Sequence, residues 1–500
     1  MTLAPPTASL LADDLRAAGY TAARQRSLVG VPADDALVRG DAEPARRALR
    51  ADAPTPLATL IRLFVLGDAV PLVDAAAAFP GLGVDGASAL GILGVDGASA
   101  RALLAVRPYV FHDGGAARDG WIVSDLDELA GVSPLRPDHV LGVGGAARTL
   151  VSLLPPEGSG RALDLGCGCG VIALHLRRRG YDVVATDVSE RALALTELNA
   201  ALNGIDGVEV RSGSLFDPVA GETFDLIASN PPFVVTPRTE GVPAYEYRDG
   251  GFEGDGLMAA VARGIPAHLS SGGGARLLGN WEHRGGEAGL RRLARWLDGT
   301  DVGVWAIERE RLDPVRYAEL WIRDGGTRTG TEEHAALVDA WLDDFDARGV
   351  AEVGLGWVVL SRATPSLLRL EEVGQQVDLR GVGAHVAAAL SAHAALQRAD
   401  DADLRTAVLV VAPDVTEARH HLPGSDAPSV IELRQGGGLG RTVDVDPALA
   451  GLVGACDGEL TVGAILDALA ELLEVDGAAL TADLLPRVRD LVFSGFLTLP

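Results

Sequence analysis

The stretch "RALDLGCGCGVIALHL", Arg161 to Leu176, constrains the fold of this chain more than any other. A short apolar run ends in Asp164 and Leu165, and glycines 166, 168 and 170 follow before an apolar helical pattern begins. A strand that turns into a helix over glycines brings its backbone close to a ligand at the carboxyl edge of a sheet, with helix N–H groups aimed at it. Further on, "VVATD" closes a second strand at Asp187, where a carboxylate can accept hydrogen bonds from both hydroxyls of a ribose. Strand, glycine turn, helix, strand and terminal acid predict a nucleoside cofactor. The spacing G-x-G-x-G, in place of G-x-G-x-x-G, argues against a dinucleotide.

The same rhythm extends from about Gly120 to Arg362. "RALDLG", "YDVVATD", "VEVRSGS", "FDLIASN", "ARLLGNW" and "DVGVWAIE" are short apolar runs separated by helix-compatible segments or turns. They predict an α/β fold, a mostly parallel sheet covered on both faces. A helix-rich insertion, Asp313 to Arg348, precedes a last strand, "VGLGWVVLSR". Three regions follow: an N-terminal helical, winged-helix-like domain over 1–125, the α/β domain over 126–362, and a C-terminal accessory domain over 363–500. In the first, helices "LATLIRLFVLG" and "PLVDAAAAF" precede a hairpin of "RALLAVRPYVF" and "GWIVSDL". "LGVDGASA" occurs twice, at Leu82 and Leu93, and reads as a repeated helix and turn. The third region ends in two amphipathic helices and is expected to be mostly helical, either a packing domain or a winged-helix-like platform.

Composition narrows the chemistry. All 43 basic residues counted as lysine or arginine are arginine, so Schiff-base and pyridoxal chemistry lack their amine. Cys167, Cys169 and Cys456 are too few for a disulfide framework and lack a second cluster for a metal, so no metal is expected. No apolar run approaches a membrane span and the first residues lack a basic leader, so a cytoplasmic protein is expected. The net charge of −26 repels phosphate backbones, and a nucleic-acid substrate needs a local basic patch. Residues 1–120 hold 11 Arg against 13 acids, and the last 138 residues hold 9 against 20. Polyanion contact is therefore expected in the N-terminal third or at the mouth of the site.

"SNPPF", Ser229 to Phe233, follows the fourth strand and reaches the same sheet edge as the glycine turn. Asn230 and Pro231 each precede a proline and are biased to extended backbone, while Pro231 and Pro232 have fixed φ. Such a stiff turn carries carbonyl oxygens in need of partners. The Asn230 side-chain oxygen and the Pro231 backbone oxygen can each accept one hydrogen of a planar –NH2 group, and Phe233 can stack on its plane. Positive charge developing on that nitrogen is stabilised by both oxygens, so no strong general base is required.

These motifs resemble those of class I S-adenosylmethionine-dependent N-methyltransferases, in particular release-factor glutamine methyltransferases and RNA base amino-methyltransferases. The resemblance covers Val132 to Trp281 and includes "SPLRPDHVLGVGGAARTL" upstream and "YEYRDGGFEGDGLMAAV" downstream of the clamp. It implies a Rossmann-like sheet and a cofactor site of Asp164, Gly166, Cys167, Gly168, Gly170, Asp187 and Asn230, with Asp164 near the methionine end. It also implies that Ser214 takes the place of an adenine-binding aspartate and that Leu215 covers the ring, with Asp217 a poorer candidate. Phe233 replaces the tyrosine usual in the glutamine enzymes and is similar to many RNA-modifying members.

The expected reaction is methyl transfer to a planar nitrogen, with Asn230, Pro231 and Phe233 catalytic and a protein glutamine as acceptor. An RNA base amine is the alternative, and Ser214 motivates a second one, an inactive cofactor-binding scaffold. Acidity favours a protein or peptide partner. The triplet Arg177–Arg179 is read as a solvated helix end, and His139, Asn280 and Trp281 as packing or pocket residues. Tyr245, Tyr247 and Arg248 form a loop that could close over substrate, and His420 and His421 are given no metal role.

Overall fold

The computed structural model describes residues 5–50, 54–113, 116–131, 136–239, 241–243, 245 and 247–499. Ser133 to Leu135 and Glu246, parts of two segments quoted above, lie outside them. The chain forms two compact units, one of residues 1–151, 157–299 and 311–357, the other of 152–156, 300–310 and 358–500.

The first unit holds the expected α/β alternation. Strands β1 (Arg161–Leu165), β2 (Asp182–Asp187), β3 (Val208–Ser212), β4 (Phe224–Ser229) and β5 (Leu269–Arg284) stand in the order β5-β4-β1-β2-β3. All the pairings from β5 to β3 are parallel. Helix α1 (Val171–Arg178) joins β1 to β2, α2 (Glu190–Leu202) joins β2 to β3, and α3 (Gly256–Gly264) leads into β5. Beyond β5 lie α4 (Gly289–Trp296), α5 (Pro314–Asp324) and α6 (Glu332–Arg348), the last two being the expected insertion. The arrangement is a class I, Rossmann-like methyltransferase fold. Strand order reverses between β1 and β4, and parallel α/β sheets bind ligands outside the strand ends at such a switch.

The N-terminal residues fold as helices followed by three short strands, Val70–Pro71, Leu93–Asp96 and Ser99–Ala102, with the last in the middle of an antiparallel sheet. The expected hairpin forms, as a separate two-stranded antiparallel ribbon of Ala105–Asp113 with Ala116–Ser124. It is held to α2 by side chains that imitate a strand. Asn199 accepts from Val123 N–H at 2.7 Å and donates to its carbonyl at 2.9 Å, and Asn203 does the same for Trp121 at 3.0 and 2.7 Å.

The duplicated octapeptide corrects the expectation of a repeated helix and turn. Its first copy contains the helix Gly83–Ala89, but the second supplies Leu93–Asp96, a turn at Gly97 with φ 57°, and the start of the returning strand. In the second copy Ala100 pairs with Val70 and Val95, so a neighbouring strand selects the extended form.

The second unit contains the expected C-terminal helices, Val462–Leu473 and Gly477–Phe493 among them. It also contains two three-stranded antiparallel sheets that sequence patterning did not place. One pairs Val408–Val411 with Asp457–Thr461 and Leu497–Thr498, the other joins Val415–His421, Pro428–Gln435 and Thr442–Val445. Strands of two to eight residues on a partly solvated surface leave little alternation to read. A core including Leu409, Leu433, Leu449, Leu466 and Leu485 lies between these sheets and helices. No helix among the described residues is long and apolar enough to cross a membrane.

Candidate active site

The site is set by strand register. Leu165 at the end of β1 is the partner of Ser229 at the end of β4, so Gly166 and Asn230 leave the sheet side by side at the switch point. Ser229 Oγ donates to the Leu165 carbonyl at 2.7 Å and locks the two ends together. Neighbouring strands lie about 4.8 Å apart, so the glycine turn and the asparagine share one crevice.

Glycines 166, 168 and 170 all have positive φ, 78°, 54° and 79°. A Cβ at 166 or 168 would meet nothing within 4 Å, whereas at 170 it would meet Thr196 side-chain atoms at 2.7 Å. The first two glycines thus border open space and the third is needed for helix packing. The Thr186 carbonyl accepts from both Gly166 and Cys167 N–H at 2.9 Å, and Thr196 Oγ1 donates to the Gly168 carbonyl at 3.1 Å. Cys167 and Cys169 are buried, and burial pushes both thiols up, so neither is a ready nucleophile.

Asp187 ends β2 and fastens this turn. Its Oδ2 accepts from Gly168 N–H and its Oδ1 from Ser189 N–H, both at 2.9 Å. A carboxylate has about four lone-pair sites, so capacity remains for a diol. Asp164 is buried beneath the turn and accepts from Ala173 N–H at 2.8 Å at the start of α1. Burial, and to a lesser degree the charge of Asp187, push its carboxyl up to about 7. Both acids lie at strand ends flanking the glycine turn, Asp164 held by a backbone donor of α1 and Asp187 by donors of the turn and of the start of α2.

Ser214 and Asp217 are exposed beyond β3, and Gly213 N–H donates to the Asp187 carbonyl at 3.0 Å. Leu215 has φ 48°, one of two non-glycine residues with positive φ among those described. That conformation costs a bulky side chain about 1–2 kcal/mol. The strain falls at the turn where the resemblance expects an adenine.

On the other side of the switch, Pro231 is buried and its carbonyl accepts from Phe233 N–H at 2.7 Å, which occupies one of its two lone pairs. Asn230 Oδ1 is buried and has no partner among the described residues. A buried acceptor left bare costs about 1–3 kcal/mol. Such an atom is suited to a ligand N–H.

Sequence reading missed what holds this loop. Val234 N–H donates to the Arg248 carbonyl at 2.9 Å, and Val235 N–H to the Tyr317 hydroxyl at 3.0 Å. Tyr317 lies on α5 in the insertion, is fully buried, and also accepts from Asn280 Nδ2 at 2.7 Å. With Trp341, Phe345 and Ile322 it packs on Val234 and Val235, so the insertion is the wall behind the clamp. Tyr317→Phe would strand two buried donors, and a loss of roughly 2–4 kcal/mol is expected in chemical denaturation. Unchanged stability would remove the hydroxyl from this support.

The remaining candidates sort by contact. Arg248 is buried, donates to the Trp321 carbonyl at 2.7 Å and to Asp324 at 2.9 Å, and lies over the Tyr245 ring. Tyr247 donates to Asp324 at 3.1 Å. In the present conformation these residues tie the loop to α5, in place of the expected freedom to close. His139 is buried 4.0 Å from Asp125 and edge-on to Tyr247. Trp281 is core, and Asn280 serves Tyr317. Arg178 and Arg179 are not a solvated helix end: both bind Asp113 of the ribbon, at 2.8 and 3.2 Å, and His175 binds it too, at 2.8 Å. Arg177 donates to the Asp206 carbonyl at 2.7 Å.

Fold, switch-point crevice, glycine turn and paired acids together define a class I methyltransferase domain. Residues 142–242 match the family described as the methyltransferase small domain, and residues 17–103 and 389–499 match two families described as domains of unknown function (DUF7059 and DUF7782). The release factor glutamine methyltransferase of Xylella fastidiosa is 39% identical over 130 residues, 24% of this chain and 47% of that protein. The ribosomal protein uL3 glutamine methyltransferase of Xanthomonas campestris pv. campestris is 39% identical over 121 residues, 23% of this chain and 39% of that protein. The ribosomal RNA small subunit methyltransferase C of Escherichia coli is 34% identical over 141 residues, 28% of this chain and 36% of that protein. The chain thus spans less than half the length of each of these relatives.

Proposed function

We propose that this chain is an S-adenosylmethionine-dependent methyltransferase acting on a planar amine nitrogen, with a protein glutamine side chain as the first acceptor. The bare, buried Oδ1 of Asn230 beside Gly166 carries this reading. The open space over Gly166 and Gly168 and the two acids fit the cofactor, with Asp187 toward its ribose and Asp164 toward its charged methionine end. When bound, S-adenosylmethionine supplies an electrophilic methyl group. Asn230 Oδ1 and the free lone pair of the Pro231 carbonyl accept the two amine hydrogens, which orients the nitrogen lone pair, and Phe233 supports the flat group. As positive charge grows on nitrogen those oxygens interact with it more strongly than with the neutral acceptor.

Two relatives are named for glutamine acceptors, and the acidic chain suits a protein partner in the cytoplasm. An RNA base amine is the second reading, favoured by Phe233 and by a relative named for ribosomal RNA. Transfer of a labelled methyl group into protein and RNA fractions separates them. Label confined to RNA rejects glutamine, and cofactor binding with no label in either rejects the enzyme reading in favour of a scaffold.

Asp164 gives this reading a pH signature. In the ligand-free fold its carboxyl titrates at about 7, well above an ordinary aspartate. The native state therefore keeps a proton that the unfolded chain releases near pH 4, and this group makes stability fall as pH rises from about 4 to 7. A cationic ligand needs the ionised form, so its affinity is expected to rise up to about tenfold per pH unit toward pH 7 and then level. Titrations of S-adenosylmethionine at several pH values check this, and Asp164→Asn is expected to flatten the profile. An identical profile in the variant assigns the dependence elsewhere.

A further inference from the structure

The two asparagines that hold the ribbon to α2 differ in what else they touch. Asn203 Nδ2 donates to the Trp121 carbonyl and, at 2.8 Å, to the Asn199 carbonyl of its own helix. Asn199 is fully buried and brackets the Val123 peptide group, but its Nδ2 also donates to the Cys169 carbonyl at 2.8 Å. A carboxamide has two N–H hydrogens, so both are spent, one on the ribbon and one on the glycine turn.

The Cys169 carbonyl needs that hydrogen. A helix running on from it would offer the N–H of Ala173, four residues later, yet Ala173 N–H donates to Asp164 at 2.8 Å. Regular helix bonding begins one residue on, with Leu174 N–H on the Gly170 carbonyl at 2.9 Å. Thr196, three residues before Asn199 on the same face of α2, donates to the Gly168 carbonyl at 3.1 Å. A peptide group is planar, so fixing these two carbonyls also fixes the directions of the Cys169 and Gly170 N–H groups. The backbone of the turn is thereby set from α2.

The ribbon in turn fixes the Asn199 carboxamide, because it is anchored at several points. Trp121 Nε1 donates to the Tyr20 carbonyl at 2.7 Å, and the Tyr20 hydroxyl donates to the Val106 carbonyl at 2.8 Å. Tyr20 belongs to the N-terminal region, 17–103, matched to a family of unknown function. Further along the ribbon, the Tyr109 hydroxyl lies 2.8 Å from His175 Nε2 on α1, and Asp113 holds His175, Arg178 and Arg179. The ribbon thus grips both helices that follow the cofactor-side strands β1 and β2.

We propose that Asn199 is a positioning residue for the cofactor turn, with the ribbon as its brace, so that ribbon order and S-adenosylmethionine affinity are coupled. This rests on the reading of Gly166 to Gly170 as the cofactor turn. Asn199 acts through the Cys169 carbonyl and touches no reacting atom. Without it that carbonyl loses its donor, the turn samples other peptide orientations, and apparent affinity falls by the fraction that remains competent. Coupling is reciprocal, so a ligand that orders the turn also tightens the ribbon.

The test is calorimetric titration of the full chain with S-adenosylmethionine, in wild type and in the variants Asn199→Ala and Asn203→Ala, with thermal unfolding of each. Both variants lose a bracketed ribbon peptide group, so both unfolding midpoints are expected to fall. Only Asn199→Ala is expected to weaken the cofactor, by about tenfold, while Asn203→Ala stays within about threefold of wild type. A second measurement needs no substitution at a buried site: hydrogen exchange of wild type with and without saturating S-adenosylmethionine. Exchange at Val123, whose N–H ends on Asn199 Oδ1, is expected to slow several-fold on binding, with Val415–His421 of the second unit as the internal reference. Affinity unchanged in folded Asn199→Ala, an equal loss in both variants, or exchange at Val123 indifferent to bound cofactor would overturn the proposal alone. Wild type that binds no S-adenosylmethionine would overturn the cofactor reading and the proposal with it.

Discussion

Asn230→Ala is expected to lower methyl transfer by about two to three orders of magnitude while cofactor affinity stays near wild type. The reason lies in what the side chain does before and during reaction. Its Oδ1 is buried and bare in the free protein, so it is already desolvated and positioned when an amine arrives. As the nitrogen gains charge, a fixed dipole next to it is worth much more than water would be, because nothing has to reorganise. Alanine removes that dipole and also the unpaired acceptor, so the midpoint of thermal unfolding should stay level or rise slightly. Initial rates at saturating cofactor, cofactor titration and thermal unfolding measure the three quantities. Wild-type rates in the variant would remove the clamp from the mechanism.

Asp187→Ala is expected to show the opposite pattern: cofactor affinity down by about 100- to 10,000-fold, with turnover at saturating cofactor changed much less. Hydrogen bonds to a charged acceptor are worth about 1.5–3 kcal/mol each, and two ribose hydroxyls would lose theirs. The same carboxylate also binds Gly168 and Ser189 N–H, so its removal loosens the glycine turn in addition. Calorimetric titration with S-adenosylmethionine is the direct measurement. Equal affinities would mean that the ribose lies elsewhere. Together the two variants divide binding from chemistry between the two sides of one crevice.

Both sides were legible because each is a contiguous motif on a regular element. The pattern from Arg161 to Asp187 predicts a strand, turn, helix and strand, and all four form where expected. "SNPPF" follows the strand β4 as expected, and the prolines explain its stiffness. Tyr317 was invisible for the converse reason: it lies far along the chain in an insertion, and nothing local distinguishes it from an ordinary helix aromatic. The arginine triplet shows the opposite error. Adjacent charges at a helix end suggested a solvated face, yet Arg178 and Arg179 are consumed by Asp113.

Sequence alone determined the sheet, the glycine turn, the two acids and the prolines after β4, because backbone geometry at those points follows from residues next to one another. Tertiary structure decided everything that depends on which surfaces meet. Two identical copies of "LGVDGASA" became a helix in one place and a hairpin in the other, since strand pairing with Val70 acts on only one of them. It also decided that Gly166 and Asn230, far apart in sequence, leave the sheet together, because the Leu165 to Ser229 register is a property of two strands and of neither alone.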